Sequence, residues 1–162
     1  MGRWRPPAPS ASPYITPEGY LVLQKELEDI WLRRREVVKA LAAAAAEGDR
    51  SENAEYIYRK KELGGIDRRI RYLQQRLPKL KVVREQPRSD AVYFGATVEI
   101  RDESGTTHEY RIVGPDEADT KSASISVDSP VAKALLGKRV EESVDIATAE
   151  TTTTYSIVSI RY

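Results

Sequence analysis

The stretch GDRSENAEY (Gly48–Tyr56) interrupts a long heptad pattern and divides it into two halves. On both sides, seam positions recur at alternating spacings of three and four residues, which is typical of helices that pack on one another. The upstream positions are Tyr20, Leu23, Leu27, Ile30, Arg34, Val37, Leu41 and Ala44. The downstream positions are Tyr56, Arg59, Leu63, Ile66, Ile70, Leu73, Leu77 and Leu80. Each helix can bury so narrow a stripe only on the other, so the pattern predicts an antiparallel helical hairpin with Gly48–Tyr56 at its tip.

Terminating residues predict the lengths of the two helices. Thr16 is a suitable N-cap and Pro17 suits the first helical position, so the first helix is expected from there to about Ala46. The second helix is expected from about Glu52 to Leu77, where Pro78 stops it. About thirty residues at ~1.5 Å each predict a hairpin of roughly 40–45 Å.

A second module with short alternating segments follows the hairpin. Strand-like segments at 92–100, 106–113, 124–127, 143–147 and 152–161 are separated by turn residues. Ser129-Pro130 opens a brief helix that Gly137 closes. The predicted fold class is therefore α+β: a long coiled-coil hairpin and a small antiparallel β-sheet domain with one short helix. The expected divisions are a disordered extension at 1–13, the hairpin at 14–83, a linker at 84–90 and the second domain at 91–162.

Composition excludes several classes of protein. The chain of 162 residues has no cysteine, so disulfides and thiolate metal sites are impossible. No apolar run approaches ~18 residues and the start lacks a signal-peptide hydrophobic region, so we expect a soluble, cytoplasmic protein without a membrane partner. Residues 1–83 carry a net charge of +6 and residues 84–162 a net charge of −5. The basic half suggests contact with a polyanion, and the acidic half suggests a different partner.

Two carboxylates at the predicted tip could carry chemistry. Asp49 and Glu52 are three residues apart and could share a hard cation such as Mg²⁺. Two protein carboxylates do not complete its octahedral shell, so further ligands would have to come from a partner. The same spacing also fits a capping box, with Asp49 as the N-cap and Glu52 reaching back to its backbone N–H. Spacing alone leaves both interpretations open.

Several segments resemble the Gre family of bacterial transcription elongation factors, and most closely its GreB branch. They are Ile15–Tyr20, the tip Gly48–Tyr56, Ile66–Leu73, Phe94–Glu99 and Asp128–Leu136. The likeness covers nearly everything from residue 14 to residue 162, and the tip motif is highly specific. The chain departs from the family at its N-terminal extension, at Gly64-Gly65 and at Thr151–Thr154.

The resemblance implies a function. The hairpin would enter the secondary channel of RNA polymerase, and an FKBP-like C-terminal domain would hold the factor at the channel entrance. Asp49 and Glu52 match the family's essential tip acids, which help the polymerase hold a second Mg²⁺ and cleave the 3′ end of backtracked nascent RNA. The supporting tip residues would be Arg50, Ser51, Asn53 and Tyr56. The protein would be a monomeric accessory factor without a small-molecule substrate, and not itself an enzyme.

Basic residues on the predicted second helix form a separate candidate site. Lys61 and Arg68 share one helical face, and Arg69 lies one position on. With Lys60, they could contact RNA phosphates without reading sequence, as the resemblance to the family's basic patch also implies. The alternative is a solvated flank whose cations pair with Glu62 or Asp67.

Two rival functions have different requirements. A coiled-coil factor could occupy the polymerase channel as an inhibitor without stimulating cleavage, but the tip acids argue against that. The FKBP-like resemblance also raises the possibility of a prolyl isomerase. The second half, however, has few aromatic residues with which to line a proline pocket.

Overall fold

A computed structural model describes residues 10–48, 53–86 and 90–162. These residues form two compact units. One unit is Glu18–Leu80, and the other combines the residues up to Pro17 with Lys81–Tyr162. Among the helices in the described ranges, none is both long enough and apolar enough to cross a bilayer.

The first unit is the predicted helical hairpin. Helix α1 is Pro17–Ala46 and helix α2 is Ala54–Arg76, followed by a 3-10 turn at Leu77–Lys79 that contains Pro78. All sixteen predicted seam positions are buried or half-buried. The heptad prediction is therefore confirmed, including the seam positions of Arg34 and Arg59.

Apolar packing and ion pairs join the two helices in antiparallel order. Val37 of α1 is fully buried with Ile66 and Ile70 of α2, and half-buried leucine and isoleucine side chains surround this cluster. The cross-helix ion pairs are Arg33–Glu62 at 2.6 Å, Arg34–Asp67 at 2.7 Å and Arg69–Glu26 at 2.6 Å. Glu26, the earlier residue in α1, pairs with Arg69, and Arg33 pairs with Glu62, which precedes Arg69 in α2, as an antiparallel hairpin requires.

The second helix is shorter than predicted at both ends. It begins at Ala54 and ends at Arg76, whereas the prediction was Glu52 to Leu77. At its start, Asn53 has extended backbone and its side chain caps the helix. At its end, Pro78 confines the last turn to a 3-10 conformation, because proline cannot donate to the α-helical ladder.

The second unit is built on a five-stranded sheet. Its strands are β3 (Thr97–Asp102), β4 (Thr107–Val113), β5 (Ser124–Ser126), β6 (Ser143–Ala147) and β7 (Thr152–Arg161). Their order across the sheet is β5-β4-β3-β7-β6. The predicted antiparallel arrangement holds for every pair except β4–β5, which is parallel. The loop between these two strands carries the chain back along the sheet, so both strands run in the same direction.

One short helix covers the core of this sheet. Helix α3 is Pro130–Leu135, and the Ser129 hydroxyl accepts a hydrogen bond from the Ala132 backbone N–H at 3.2 Å, as the cap prediction required. Ala132 and Leu135 are fully buried with the inward side chains of the strands. The prediction of a two-part α+β chain is confirmed.

The residues before α1 form a short strand in the second unit. Strand β1 (Tyr14–Ile15) pairs in parallel with β2 (Lys81–Val82). Glu117 accepts hydrogen bonds from the backbone N–H groups of Thr16 and Gly114, and from the Thr16 hydroxyl.

Earlier in the chain, the Ser12 backbone N–H donates to the Asp128 carboxylate at 2.8 Å. The Pro13 carbonyl also accepts a hydrogen bond from the Lys81 backbone N–H. The predicted disordered extension at 1–13 therefore does not hold for Ser12 and Pro13.

Candidate functional site

The tip of the hairpin is described on both sides of the two candidate acids. Asp49, Arg50, Ser51 and Glu52 themselves lie outside the described residues. On the α1 side, the Glu47 N–H donates to the Ala44 carbonyl at 3.2 Å, and Gly48 follows with a φ of +133°. Few residues other than glycine adopt that backbone conformation readily, so Gly48 suits the start of the chain reversal.

Asn53 joins the two helices immediately behind the tip. Its side-chain oxygen accepts from the Tyr56 N–H at 3.1 Å, which caps α2. Its side-chain NH₂ group donates to the Ala44 carbonyl of α1 at 2.7 Å. One amide therefore satisfies an unpaired donor at the start of α2 and an acceptor near the end of α1. This arrangement supports the prediction that Asn53 is a structural residue of the tip.

The observed cap bears on the capping-box interpretation of the two acids. That interpretation required Asp49 to be the N-cap of the second helix, but Asn53 has this role and α2 begins at Ala54. Asp49 and Glu52 lie outside the described residues and precede this cap in the sequence. Their metal-binding role stays a prediction.

Small side chains lie next to the contact between Asn53 and Ala44. Ala44 is almost fully buried, and the alanines beside it in the Ala42–Ala46 run have no side chain beyond a methyl group. Tyr56, the predicted tip-supporting aromatic residue, is half-buried at its seam position.

An ion-pair network continues behind the tip. Glu62 of α2 is its centre and accepts hydrogen bonds from Arg33 of α1, at 2.6 and 3.1 Å, and from Arg59 at 3.0 Å. Arg59 also donates to Glu55 at 2.8 Å. The hydrogen bond from Arg33 is the largest cause that lowers the pKa of the Glu62 carboxyl below its ordinary value, and the bond from Arg59 acts in the same direction. The network links the helices near the middle of α1, through the bond from Arg33 to Glu62.

Replacing the central carboxylate should change the acid sensitivity of the hairpin. The folded state holds the pKa of Glu62 below 4.5, so the unfolded chain takes up this proton first as the pH falls. The stabilisation from Glu62 is thus present above that pH and is lost as the pH falls through the lowered pKa. We expect Glu62→Gln to lower the melting temperature at pH 7 and to flatten its decline between about pH 5 and pH 3, measured by circular dichroism.

The control for this substitution is Glu28→Gln. Glu28 is exposed on α1 and pairs with no residue in the described ranges, so its replacement should leave both the melting temperature and its pH dependence unchanged. Equal curves for Glu62→Gln and the wild type would show that the network does not stabilise the hairpin.

The four predicted RNA-binding cations fall into two groups. Lys60, Lys61 and Arg68 are exposed and form no ion pair with another described residue. Arg69 differs, because it makes a bidentate contact with Glu26 at 2.6 and 2.9 Å. Glu62 and Asp67 are engaged by arginines of the seam network, so they do not pair with Lys61 or Arg68. We therefore retain three cations as candidate RNA contacts and assign Arg69 to the helix interface.

Glu47 and Glu55 are the described acids next to the tip. Within the described residues there is no group of three or more potential metal ligands. Asp49 and Glu52 supply oxygen ligands of the type that Mg²⁺ prefers, but only two of them. Their chemistry fits an ion that a partner also coordinates.

Sequence reasoning missed the residues that connect the helices near the tip. The pair Arg59–Glu62 could have been found from the sequence, because the two residues are three positions apart on one helix. The contact of Arg33 with Glu62 could not, because it depends on how the two helices are aligned in the hairpin. The bond from Asn53 to Ala44 likewise depends on two residues nine positions apart meeting across the turn.

Comparisons with known proteins agree with this architecture. Residues 13–82 match the family model for the N-terminal domain of transcription elongation factors, and residues 86–162 match that for the C-terminal domain of transcription elongation factors GreA/GreB. The chain is 57% identical to the transcription elongation factor GreB of Xanthomonas axonopodis pv. citri, with 100% of this chain and 98% of that protein covered. It is 50% identical to GreB of Pseudomonas aeruginosa with the same coverage.

A solved structure is also similar. It is GreA factor homolog 1 (Gfh1) of Thermus thermophilus, with 28% identity, 92% of this chain and 98% of that chain covered, and a TM-score of 0.42.

Proposed function

The chain belongs to the GreA/GreB family of transcription elongation factors, and we propose that it stimulates the RNA cleavage activity of RNA polymerase in backtracked complexes. The hairpin carries its tip into the secondary channel, where the polymerase's active site and the extruded RNA 3′ end are accessible. The observation that carries this proposal is that the two acids lie, in the sequence, between two helices whose adjoining ends are joined by Asn53.

The chain's own residues act mainly by positioning. Asn53 holds the end of α1 and the start of α2 together, and the Glu62 network links the helices again about two and a half to three turns further on. These contacts fix the two helix ends that flank Asp49 and Glu52 in the sequence. A preorganised pair of ligands loses less entropy on binding than a mobile pair does.

Mg²⁺ is the proposed cofactor, shared with the polymerase. Asp49 and Glu52 would provide two of its oxygen ligands, and the polymerase and water would complete the shell. When bound, the second ion lowers the pKa of an attacking water and stabilises charge on the phosphoryl oxygens. The factor supplies no nucleophile, so it acts as an accessory to the polymerase and not as a nuclease.

The exposed cations of α2 fit a polyanion that passes along the hairpin. Lys60, Lys61 and Arg68 are free to meet phosphates because the acids of α2 are already paired with arginines. Contacts of this kind are electrostatic and independent of sequence, and their strength falls as salt rises. We propose that they hold the extruded RNA behind its 3′ end.

Charge reversal should slow the cleavage of long extruded RNA more than the cleavage of short extruded RNA. We expect Lys61→Glu combined with Arg68→Glu to slow cleavage several-fold when the extruded RNA is long, and to have little effect when it is two or three nucleotides long. Loss of two phosphate contacts should also reduce the slope of log affinity against log salt concentration by about 1.4. Single-turnover cleavage of labelled RNA over a range of salt concentrations measures both quantities.

A charge-matched control is available on the first helix. Arg35 and Lys39 are exposed on α1 and pair with no residue in the ranges that the structure covers. The double variant Arg35→Glu and Lys39→Glu should cleave long and short RNA as the wild type does. Equal losses in both double variants would indicate a general charge effect and contradict the RNA strip.

The proposed function has a simple assay. The protein is added to stalled, backtracked polymerase with labelled nascent RNA and Mg²⁺, and both cleavage and subsequent elongation are followed. Stimulated cleavage and resumed synthesis are the expected results. Inhibition without cleavage would instead identify a channel-binding inhibitor.

A further inference from the structure

The middle of α2 contains two adjacent glycines, Gly64 and Gly65. Glycine makes local opening of a helix roughly five-fold more frequent than alanine does, because its backbone has more freedom in the open state. Packing does not require either glycine. Apart from the helix backbone and its chain neighbours, a Cβ at Gly64 would meet Arg68 Nη1 at 3.5 Å, and a Cβ at Gly65 would meet Nη2 at 3.7 Å. The pair is therefore a weak point in α2 that no close contact calls for.

Two consecutive arginines of α1 bridge this weak point from the opposite helix. Arg33 donates to Glu62 through Nη2 at 2.6 Å and through Nε at 3.1 Å. Arg34 Nε donates to Asp67 at 2.7 Å. Glu62 lies two residues before the glycine pair and Asp67 two residues after it, so α2 is held to α1 on both sides of Gly64–Gly65. We call these two ion pairs the clamp.

Neighbouring side chains hold both arginines of the clamp. Arg33 Nη1 also donates to Glu36 at 3.2 Å. The Arg34 guanidinium group lies 6.0 Å from the centroid of the Trp31 ring, within the range of a cation–π contact. A guanidinium group that is already oriented loses less entropy when it pairs across the helices.

The seam holds α2 at the same level of the hairpin. Leu63 and Ile66 lie on either side of the glycine pair, and Ile66 is buried with Val37 of α1. The glycines add no side chain to this apolar contact. The clamp adds polar cross-helix contacts that flank them, over a span of ~8 Å along α2.

We propose that Arg33 and Arg34 are positioning residues, which keep α2 straight across Gly64–Gly65 and so fix the place of the hairpin tip during RNA cleavage. This inference rests on the proposed function, because it takes the tip as the part that acts in the polymerase. The first residue of α2 is ~15 Å from the glycines. A bend of about 10° there would move it by roughly 3 Å, whereas a misplacement of about 1 Å can already cost about 100-fold in rate.

Hydrogen exchange of the free protein tests the clamp without polymerase. Arg33→Gln combined with Arg34→Gln should make the backbone amides of residues 65–69 exchange at least about three-fold faster, because their hydrogen bonds span or adjoin the glycines. Amides in the first half of α1 should exchange as before. Salt at about 1 M should produce a similar rise at 65–69 in the wild type and a smaller one in the variant, since salt screens exposed ion pairs.

Cleavage in backtracked complexes tests the positioning role. At saturating protein, the double arginine variant should cleave labelled RNA about three- to ten-fold more slowly in a single turnover. The protein concentration for half-maximal cleavage should not change. A hairpin that was merely less stable would raise that concentration and leave the saturated rate as it is.

A rescue variant removes the weak point itself. Gly64→Ala with Gly65→Ala, added to the double arginine variant, should restore both the exchange of residues 65–69 and the saturated cleavage rate, because alanine stiffens α2 without the clamp.

The charge-matched control is Arg35→Gln with Lys39→Gln. Both residues are exposed on α1 and pair with no other residue of the ranges given above, so this variant loses the same charge and should behave as the wild type.

Four outcomes would overturn the clamp. They are unchanged exchange at 65–69 in the double arginine variant, faster exchange with an unchanged saturated cleavage rate, failure of the two alanines to restore that rate, and an equal loss in the charge-matched control. Wild-type protein that stimulates no cleavage would reject the proposed function and with it the positioning role. The exchange of the free protein would still show whether the clamp stiffens α2.

Discussion

Asp49→Ala and Glu52→Ala should each reduce stimulated RNA cleavage by at least about 100-fold, while the hairpin stays folded and still binds polymerase. Loss of a group that only supports a metal ligand costs about 10–100-fold in affinity or activity, and these two side chains are the proposed ligands themselves. Asn53 caps α2, and both acids precede this cap in the sequence, so the melting temperature should change little. Cleavage rates, polymerase affinity and thermal melting are measured on the same preparations.

Glu47→Ala is the control for these variants. Glu47 is an exposed acid that follows the last turn of α1, directly before Gly48, so it matches the targets in charge and location. It should retain most of the activity. If Glu47→Ala were as damaging as Asp49→Ala, the general negative charge of the tip would matter and not the specific pair. If the Asp49 and Glu52 variants melted early but still cleaved, their role would be structural.

Gly114→Ala should destabilise the second unit by about 2–4 kcal/mol. A Cβ at this position would lie 2.0 Å from the Tyr14 carbonyl oxygen, and 3.1 Å from Oε2 of Glu117. The first contact is with backbone that β1 holds in place, so it cannot be relieved by rotation of a side chain. Chemical denaturation, followed by a probe in the second unit, measures the loss.

Gly64→Ala provides the opposite expectation. Gly64 lies inside α2, and its nearest neighbour for a new Cβ is the flexible end of Arg68 at 3.5 Å. Alanine is favoured over glycine in a helix by about 1 kcal/mol, so this variant should stabilise the hairpin.

A Gly114→Ala protein that unfolds like the wild type would show that β1 does not approach Gly114 as closely as the structure has it.

The hairpin was predictable because its determinants are local and periodic. The seam from Tyr20 to Ala44, and its continuation from Tyr56 to Leu80, depends only on residue spacing within each helix. The cap at Ser129 was predictable for the same reason, since its partner is three residues away.

Features that depend on distant residues were missed or misplaced. The second helix was expected to start at Glu52, because Asp49 and Glu52 satisfy a local capping rule that competes with the cap at Asn53. What favours Asn53 in the structure is its additional bond to Ala44 across the turn. The pairing of β1 with β2 joins residues far apart in the chain, and the bond of Glu117 to Thr16 spans 101 residues. No local pattern indicates such contacts.

The charged residues of α2 illustrate the same limit. Lys61, Arg68 and Arg69 look equivalent in sequence, yet only Arg69 is opposite an acid of α1 once the helices are in register. Candidate RNA contacts could therefore be proposed from sequence as a group, but the structure was needed to separate them.

The most direct measurement is the Mg²⁺ dependence of RNA cleavage in backtracked polymerase, with and without the protein. If Asp49 and Glu52 help to hold the second ion, the wild type should lower the Mg²⁺ concentration for half-maximal cleavage, and the Asp49→Ala, Glu52→Ala double variant should restore the value of polymerase alone. If the protein raises the rate by the same factor at every Mg²⁺ concentration, or if the double variant shifts the curve as the wild type does, the tip acids do not hold the ion.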